Sequence, residues 1–238
     1  MDYHYFKDKL NQFYGRYVGH QERPTFFDIN QTFPALNSIT AAVFAIKNEF
    51  EQVLIHTPEL PRYHDIDPGE AAISNTTDKN WNVFMIYLLG YEVPSARALC
   101  PTLCKLLEGI PHLMQAFFSI LEPGKSIPLH EGPYLGYLRY HLGLHVPKNK
   151  PPYIIVNGNP YTWREDEAVL FDDSFPHEVK NESDDYRAVL IIDVLRPMPY
   201  LPTLVNQFVT HIIARYTYGR KTILRAKQYG GEVKPLPI

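Results

Sequence analysis

The stretch "IPLHEGPYLGYLRYHLGLHVP", residues 127–147, places three histidines and an arginine among closely alternating apolar residues. Read with a period of two, Arg139, His141, Gly143 and His145 share one face, and Leu138, Tyr140, Leu142, Leu144 and Val146 share the other. That alternation is the signature of a strand with one face buried. The polar face offers imidazole and guanidinium where an ordinary solvated face would offer Lys, Glu and Ser. It reads as the lining of a site.

Working outward, the same short-strand pattern repeats. "AFFSIL" (116–121) precedes the stretch, and "YIIVNGNPYTW" (153–163) is a hairpin signal with Asn157-Gly158 at the turn. "EAVLFDD" (167–173), "HEVKN" (177–181) and "YRAVLIIDVL" (186–195) predict three further strands. Short strands separated by turns predict a mainly β fold with flanking helices (α+β), in the form of a double-sheet jelly roll over 115–198. Residues 1–114 read as an N-terminal arm and helices packing on that barrel. Within them, 1–35 reads as irregular with short helical pieces, 37–54 as a helix, 57–80 as loops, 81–93 as a buried strand, and 95–110 as a Ser-capped helix. Residues 199–238 read as a basic helical tail, and the whole of 1–238 as a single domain.

Composition narrows the classes. Apolar residues make up 45% and charged residues 21%, which is ordinary globular usage, and the net charge of −3 gives no reason to expect nucleic acid as a partner. The only two cysteines, Cys100 and Cys104, exclude a disulfide framework or thiolate zinc site and read as core thiols in a reducing compartment. The N-terminus lacks an apolar signal core, and no window nears the ~18 apolar residues that would span a bilayer. These features predict a soluble, cytoplasmic protein.

The chemistry-bearing residues sit at strand ends. His130 lies just before the long strand and His177 just after "AVLF". Neutral imidazoles bind Fe(II), Zn(II), Cu(II) or Ni(II), although either histidine alone reads more readily as a hydrogen-bonded or surface residue. In the common non-haem iron site a carboxylate stands two residues after the first histidine, but here that position is Gly132, and alternation turns Glu131 away. The site therefore has two histidines and lacks a third protein ligand. A chelating keto-acid would secure such a metal and would need cations and hydroxyls nearby. Arg187 is the foremost cation, since a guanidinium on an inward strand needs a carboxylate partner. That partner is either such an acid or, in a structural ion pair, Asp193 or Asp173. Arg139 and His141 add donors, and Ser119 adds a hydroxyl.

"FSILEPGKSIPLHEGPYLGYLRYHLGLHVP", followed by "YTWREDEAVLFDDSFPHEVKNESDDYRAVLIIDV", resembles the aspartyl/asparaginyl β-hydroxylase family, and "RPTFFDINQTFPALNSITAAVFAIKNEF" is similar to its bacterial members. The resemblance implies a double-stranded β-helix (cupin-like) and a dioxygenase that uses Fe(II), 2-oxoglutarate and O₂. It implies that His130 and His177 ligate iron, that Arg187 and Ser119 hold the distal carboxylate of 2-oxoglutarate, and that Arg139 and His141 approach its keto-acid end. The family has glycine where Gly132 stands. The implied reaction decarboxylates 2-oxoglutarate to succinate and hydroxylates an unactivated C–H.

Three readings follow. The first is hydroxylation of the β-carbon of Asp or Asn in a protein or peptide. The second is acyl-chain hydroxylation, as in the lipid A branch of the same family. The third is a β-helix protein that binds metal or ligand without turnover. His145 and Trp163 read as structural, and Asp172 and Asp173 as fixing the turn before His177. In the tail, Leu204, Phe208, Ile212 and Tyr216 fall about a turn apart beside Arg215, Arg220, Lys221, Arg225 and Lys227. Packing of this stripe on the barrel is the preferred reading, and peripheral membrane contact through 203–227 is the other. The sequence sets no oligomeric state.

Overall fold

The alternation around Arg139 is realised in two facing antiparallel sheets. The computed structural model describes residues 3–229. In chain order its strands are β1 (Phe26–Phe27), β2 (Trp81–Leu88), β3 (Tyr91–Glu92), β4 (Leu113–Leu121), β5 (Ile127–His130), β6 (Tyr137–His145), β7 (Tyr153–Val156), β8 (Asn159–Thr162), β9 (Ala168–Phe171), β10 (His177–Lys180) and β11 (Arg187–Leu195). The larger sheet has the order β1-β9-β6-β11-β4-β2-β3 and the smaller β5-β10-β7-β8. From β4 onward the chain crosses repeatedly from one sheet to the other, with the β7–β8 hairpin as one visit. That is the double-stranded β-helix. Strands β1 to β3, from outside 115–198, extend the larger sheet.

Register fixes what faces the interior. Arg187, Val189, Ile191 and Asp193 of β11 stand opposite Leu121, Ser119, Phe117 and Gln115 of β4. On the other side of β11, Gly143, His141 and Arg139 of β6 oppose Val189, Ile191 and Asp193. This face turns toward the smaller sheet: Phe171, opposite Arg139, lies 6.4 Å ring to ring from His177 of β10. The reverse face is roofed by helices, with Phe50 edge-on to Phe118 at 5.1 Å and Thr40 bonded to the Tyr140 hydroxyl at 2.9 Å. Every residue of β11 is buried, because the sheet is covered on both sides.

Several helices differ from the sequence reading. The predicted arm contains a helix, Tyr3–Val18, and then β1, which pairs with β9. Residues 37–54 divide into Asn37–Ala41 and Val43–His56. Residues 95–110 divide into Pro94–Leu99 and Pro101–Leu107, because Pro101 disfavours the helical conformation at Cys100. Pro94 fills the first turn, so Ser95 is no cap, and Glu49 instead accepts from the amides of Thr102 and Leu103. Within 57–80, Tyr63–Ile66 and Ala71–Ser74 are short helices. Both cysteines are buried free thiols.

The tail reverses the preferred reading. Tyr200–Phe208 runs through a π-helical segment, Val209–Gly219, into Arg220–Tyr229. Leu204, Phe208, Ile212 and Tyr216 are 44, 58, 49 and 63% exposed, while Asn206, Thr210 and Thr222 are buried. The polar side chains face inward because the barrel's loops supply their partners. Asn206 Nδ2 donates to the Gly136 carbonyl at 2.6 Å, Thr210 Oγ1 bonds the Tyr134 hydroxyl at 3.1 Å, and the Tyr218 hydroxyl bonds Asp67. Residues 230–238 of the predicted tail lie outside the described residues.

Candidate metal and co-substrate site

Strand pairing brings His130 and His177 together. They are direct partners in the β5–β10 ladder, with ring centroids 4.1 Å apart. Each Nδ1 donates to the carbonyl two residues earlier, His130 to Pro128 at 2.8 Å and His177 to Phe175 at 2.9 Å. That fixes the proton on Nδ1 and leaves Nε2 as the unprotonated nitrogen of a neutral ring. Burial, then the neighbouring His130, lowers His177 to about 3. Burial likewise lowers His130. Two neutral imidazoles with oriented tautomers are the state a metal ligand requires.

The third ligand position is physically filled. A Cβ on Gly132 would lie 2.6 Å from both Asp173 Oδ1 and the Tyr137 hydroxyl. Asp173 is buried, its Oδ2 accepts from Tyr137 at 2.8 Å, and its Oδ1 has no hydrogen-bond partner. Burial raises its carboxyl above the usual range, opposed by Arg139 and aided by Asp193. Among the described residues no group of three or more His, Cys, Asp or Glu side chains is arranged to hold a metal.

Arg187 is 1% exposed, yet its Nε has no partner. Its only polar contact among the described residues is a long one, Nη1 to Ser119 Oγ at 3.4 Å, and Ser119 is already accepting from Trp81 Nε1 at 2.9 Å. The guanidinium lies 4.4 Å over the Trp163 ring, and burial pulls it down to about 9. Asp193 and Asp173 do not pair with it. They pair with Arg139, whose Nε and Nη2 reach Asp193 and whose Nη1 reaches Asp173, all at 2.8 Å. Arg139, read as approaching the keto-acid end, is thus already neutralised by two carboxylates. His141 is buried with both ring nitrogens unpartnered, stacked on Trp163 at 5.7 Å and edge-on to Phe171 at 4.9 Å. Burial, then Arg187 and Arg139, holds it well below the ordinary imidazole range.

These orphans share the inner face: a cation without an anion, and an imidazole without a donor or acceptor. Buried groups of this kind are normally partnered. A carboxylate on Arg187 and a polar oxygen on His141 would satisfy them, so the residues fit a keto-acid held beside a histidine-bound metal. Trp163, read from the sequence as structural, lies against both orphans. The sequence reading missed Arg23, which donates to Asp172 at 2.7 Å. Asp172 also pairs with Arg196 and accepts from the Ser174 amide, pinning the turn that delivers His177. His145 pairs with Asp185 and stacks on Tyr186, a structural role. The loop before β2 reaches the interior through Tyr63, which packs on Trp81 and Phe117. Two surface cavities, one from Ile86 to His211 and one from Pro58 to Tyr229, are lined by none of the six candidate residues.

The family profile aspartyl/asparaginyl beta-hydroxylase matches residues 40–197. An ornithine lipid ester-linked acyl 2-hydroxylase from Rhizobium tropici is 40% identical over 186 residues, which cover 77% of this chain and 64% of that protein. The human aspartyl/asparaginyl beta-hydroxylase is 35% identical over 123 residues, 50% of this chain and 16% of that protein. The chain therefore spans under two thirds of either relative. Among solved structures, a cupin domain from Schizosaccharomyces pombe aligns with TM-score 0.36 and 10% identity, over 56% of this chain and 74% of the domain.

Proposed function

Because the chain belongs to the aspartyl/asparaginyl β-hydroxylase family, we propose that it is an Fe(II)- and 2-oxoglutarate-dependent hydroxylase acting on an acyl C–H of a lipid. The observation that carries the co-substrate is Arg187, a buried guanidinium with no carboxylate of its own. His130 and His177 hold the iron through Nε2, their Nδ1 protons kept on backbone carbonyls. Arg187 and Ser119 engage the distal carboxylate of 2-oxoglutarate, and a guanidinium fork matches a carboxylate in two bonds. His141 offers a neutral nitrogen toward the keto-acid end, with Trp163 closing the wall behind it. Arg139 keeps Asp173 and Asp193 in place, so that Asp173 presents Oδ1 where Gly132 leaves room. When bound, the iron and 2-oxoglutarate supply the oxidising power: O₂ is split, one atom entering succinate as CO₂ leaves and the other entering the substrate C–H.

The lipid substrate is supported by the relative from Rhizobium tropici, whose match runs along 77% of this chain, against 50% for the human relative. An Asp or Asn side chain of a peptide is the reading the human relative favours. The test is succinate release from 2-oxoglutarate with Fe(II) and ascorbate, against ornithine lipid and against Asp- and Asn-containing peptides. Lipid-dependent succinate and a product heavier by one oxygen support the proposal. Peptide-dependent turnover transfers it to the second reading, and no succinate with any substrate refutes it.

A further inference from the structure

The tail carries a face that nothing among the described residues covers. Leu201, Leu204, Phe208, Ile212 and Tyr216 are exposed along one side, while Pro202, Asn206, Thr210 and Gly219 face the barrel. A helix on a water-soluble protein normally does the reverse. The wider turn of the π-helical segment keeps the four-residue repeat on that side. A contiguous run of large apolar side chains in solvent marks an interaction surface.

Charge identifies the partner. From Val194 to Gly231 the sequence contains no Asp or Glu, although the chain as a whole carries −3. The same segment holds Arg196, Arg215, Arg220, Lys221, Arg225 and Lys227. Arg196 is spent on Asp172, and Arg215 lies over Tyr91, but Arg220, Lys221 and Lys227 are exposed. A second copy of the chain would cover the apolar stripe by setting one acid-free cationic segment against another. An anionic bilayer satisfies both the stripe and the charge. No helix among the described residues is long and apolar enough to cross a membrane, so the segment would lie along the interface.

We propose that residues 200–229 are a docking helix for an anionic phospholipid bilayer. Leu204, Phe208, Ile212 and Tyr216 enter the acyl boundary, and Arg220, Lys221 and Lys227 meet the headgroup phosphates. The buried face of this helix is bonded to the 131–136 loop, which follows His130 directly, through Asn206 to Gly136 and Thr210 to Tyr134. Docking would therefore hold the histidine pair close to the lipid surface. The proposal stands on surface chemistry alone and does not depend on the hydroxylase reading.

The test is flotation of the full chain, without iron or 2-oxoglutarate, on phosphatidylcholine vesicles with and without phosphatidylglycerol. Flotation is expected with phosphatidylglycerol, and it should fall at least about tenfold without it or when salt is raised from about 0.1 M to about 1 M. Removing the three exposed cations by R220E/K221E/K227E should lower partitioning on the order of a hundredfold, at about fivefold per charge. F208S/I212S/Y216S should abolish flotation while its circular dichroism melt matches the wild type; should that variant unfold, the charge-reversal variant decides alone. Wild-type protein that stays at the bottom with anionic vesicles overturns the proposal. So does flotation unchanged in the charge-reversal variant, or a wild-type dimer in light scattering that F208S/I212S/Y216S converts to monomer.

Discussion

Replacing Arg187 with Met tests the co-substrate site without needing the substrate. Burial lowers this guanidinium from its ordinary value to about 9, with no anion to offset it. At 1.36 kcal/mol per tenfold, that is a desolvation cost of about 5 kcal/mol as an upper bound. Folded and unfolded chains both carry the proton at pH 7, so the cost is present in full there. Removing the charge should leave the ligand-free protein as stable as before or more stable by up to about 4 kcal/mol. At ~2–4 °C per kcal/mol for a chain of this length, Tm should hold or rise by up to roughly 15 °C. Arg139→Met is the control, because Arg139 is paired with Asp173 and Asp193. Stranding two buried carboxylates costs about 3–5 kcal/mol, a fall of roughly 6–20 °C. The assay is thermal unfolding under anaerobic conditions with Mn(II), with and without 2-oxoglutarate. At about a hundredfold excess over Kd the co-substrate should add about 2.7 kcal/mol to the wild type and nothing to Arg187→Met. If Arg187→Met falls as far as Arg139→Met without ligand, the orphan-charge reasoning is wrong. If it still gains stability from 2-oxoglutarate, the carboxylate assignment is wrong.

Other outcomes follow from the same geometry. His177→Ala should abolish Fe(II) or Mn(II) binding in calorimetry while keeping the fold; unchanged affinity would remove His177 as a ligand. Gly132→Asp should fail to create a third ligand, because its Cβ would meet Asp173 Oδ1 and the Tyr137 hydroxyl at 2.6 Å; a lower Tm with no gain in metal affinity is expected. Asp172→Ala strands Arg23 and Arg196 in the interior and should cost about 3–5 kcal/mol in denaturant unfolding. In the metal-free protein, His177 (about 3) and His141 are held below the unfolded histidine value. The unfolded chain therefore binds more protons below about pH 6.5, so stability should fall as pH drops from there toward 3. A flat urea midpoint across that window would contradict the burial of both rings.

The parts of the site legible in the sequence were those that local pattern controls. Alternation in β6 put Arg139 and His141 on one face, and the histidines at strand ends could be paired because a jelly roll brings such ends together. What alternation could not assign was which carboxylate neutralises which arginine. Arg139 and Arg187 both point inward, and Asp193 lies six residues from Arg187 along β11 and on a different strand from Arg139. The answer lies in cross-strand register: Asp193 stands directly opposite Arg139, whereas Arg187 stands opposite Leu121. A slip of two residues would set Arg139 opposite Ile191 or Leu195 and take it away from Asp193. Trp163 was misjudged for a related reason. A lone indole reads as core, and only its position under Arg187 and against His141 makes it part of the site.

The tail shows the opposite failure, in which the pattern was read correctly and its direction was not. Leu204, Phe208, Ile212 and Tyr216 do form a stripe, and the hydrophobic effect alone would turn it inward. Beside the apolar contacts of Ile223 and Ala226, however, the surface it meets carries polar groups. It offers the Gly136 carbonyl, the Tyr134 hydroxyl and Asp67, which need partners once covered. Asn206, Thr210 and Tyr218 satisfy them, and leaving such groups unpaired would cost about 1–3 kcal/mol each. Those bonds fix the rotation of the helix and leave its apolar side outward. A sequence pattern shows that a helix has two faces; the chemistry of the surface beneath it decides which one is buried.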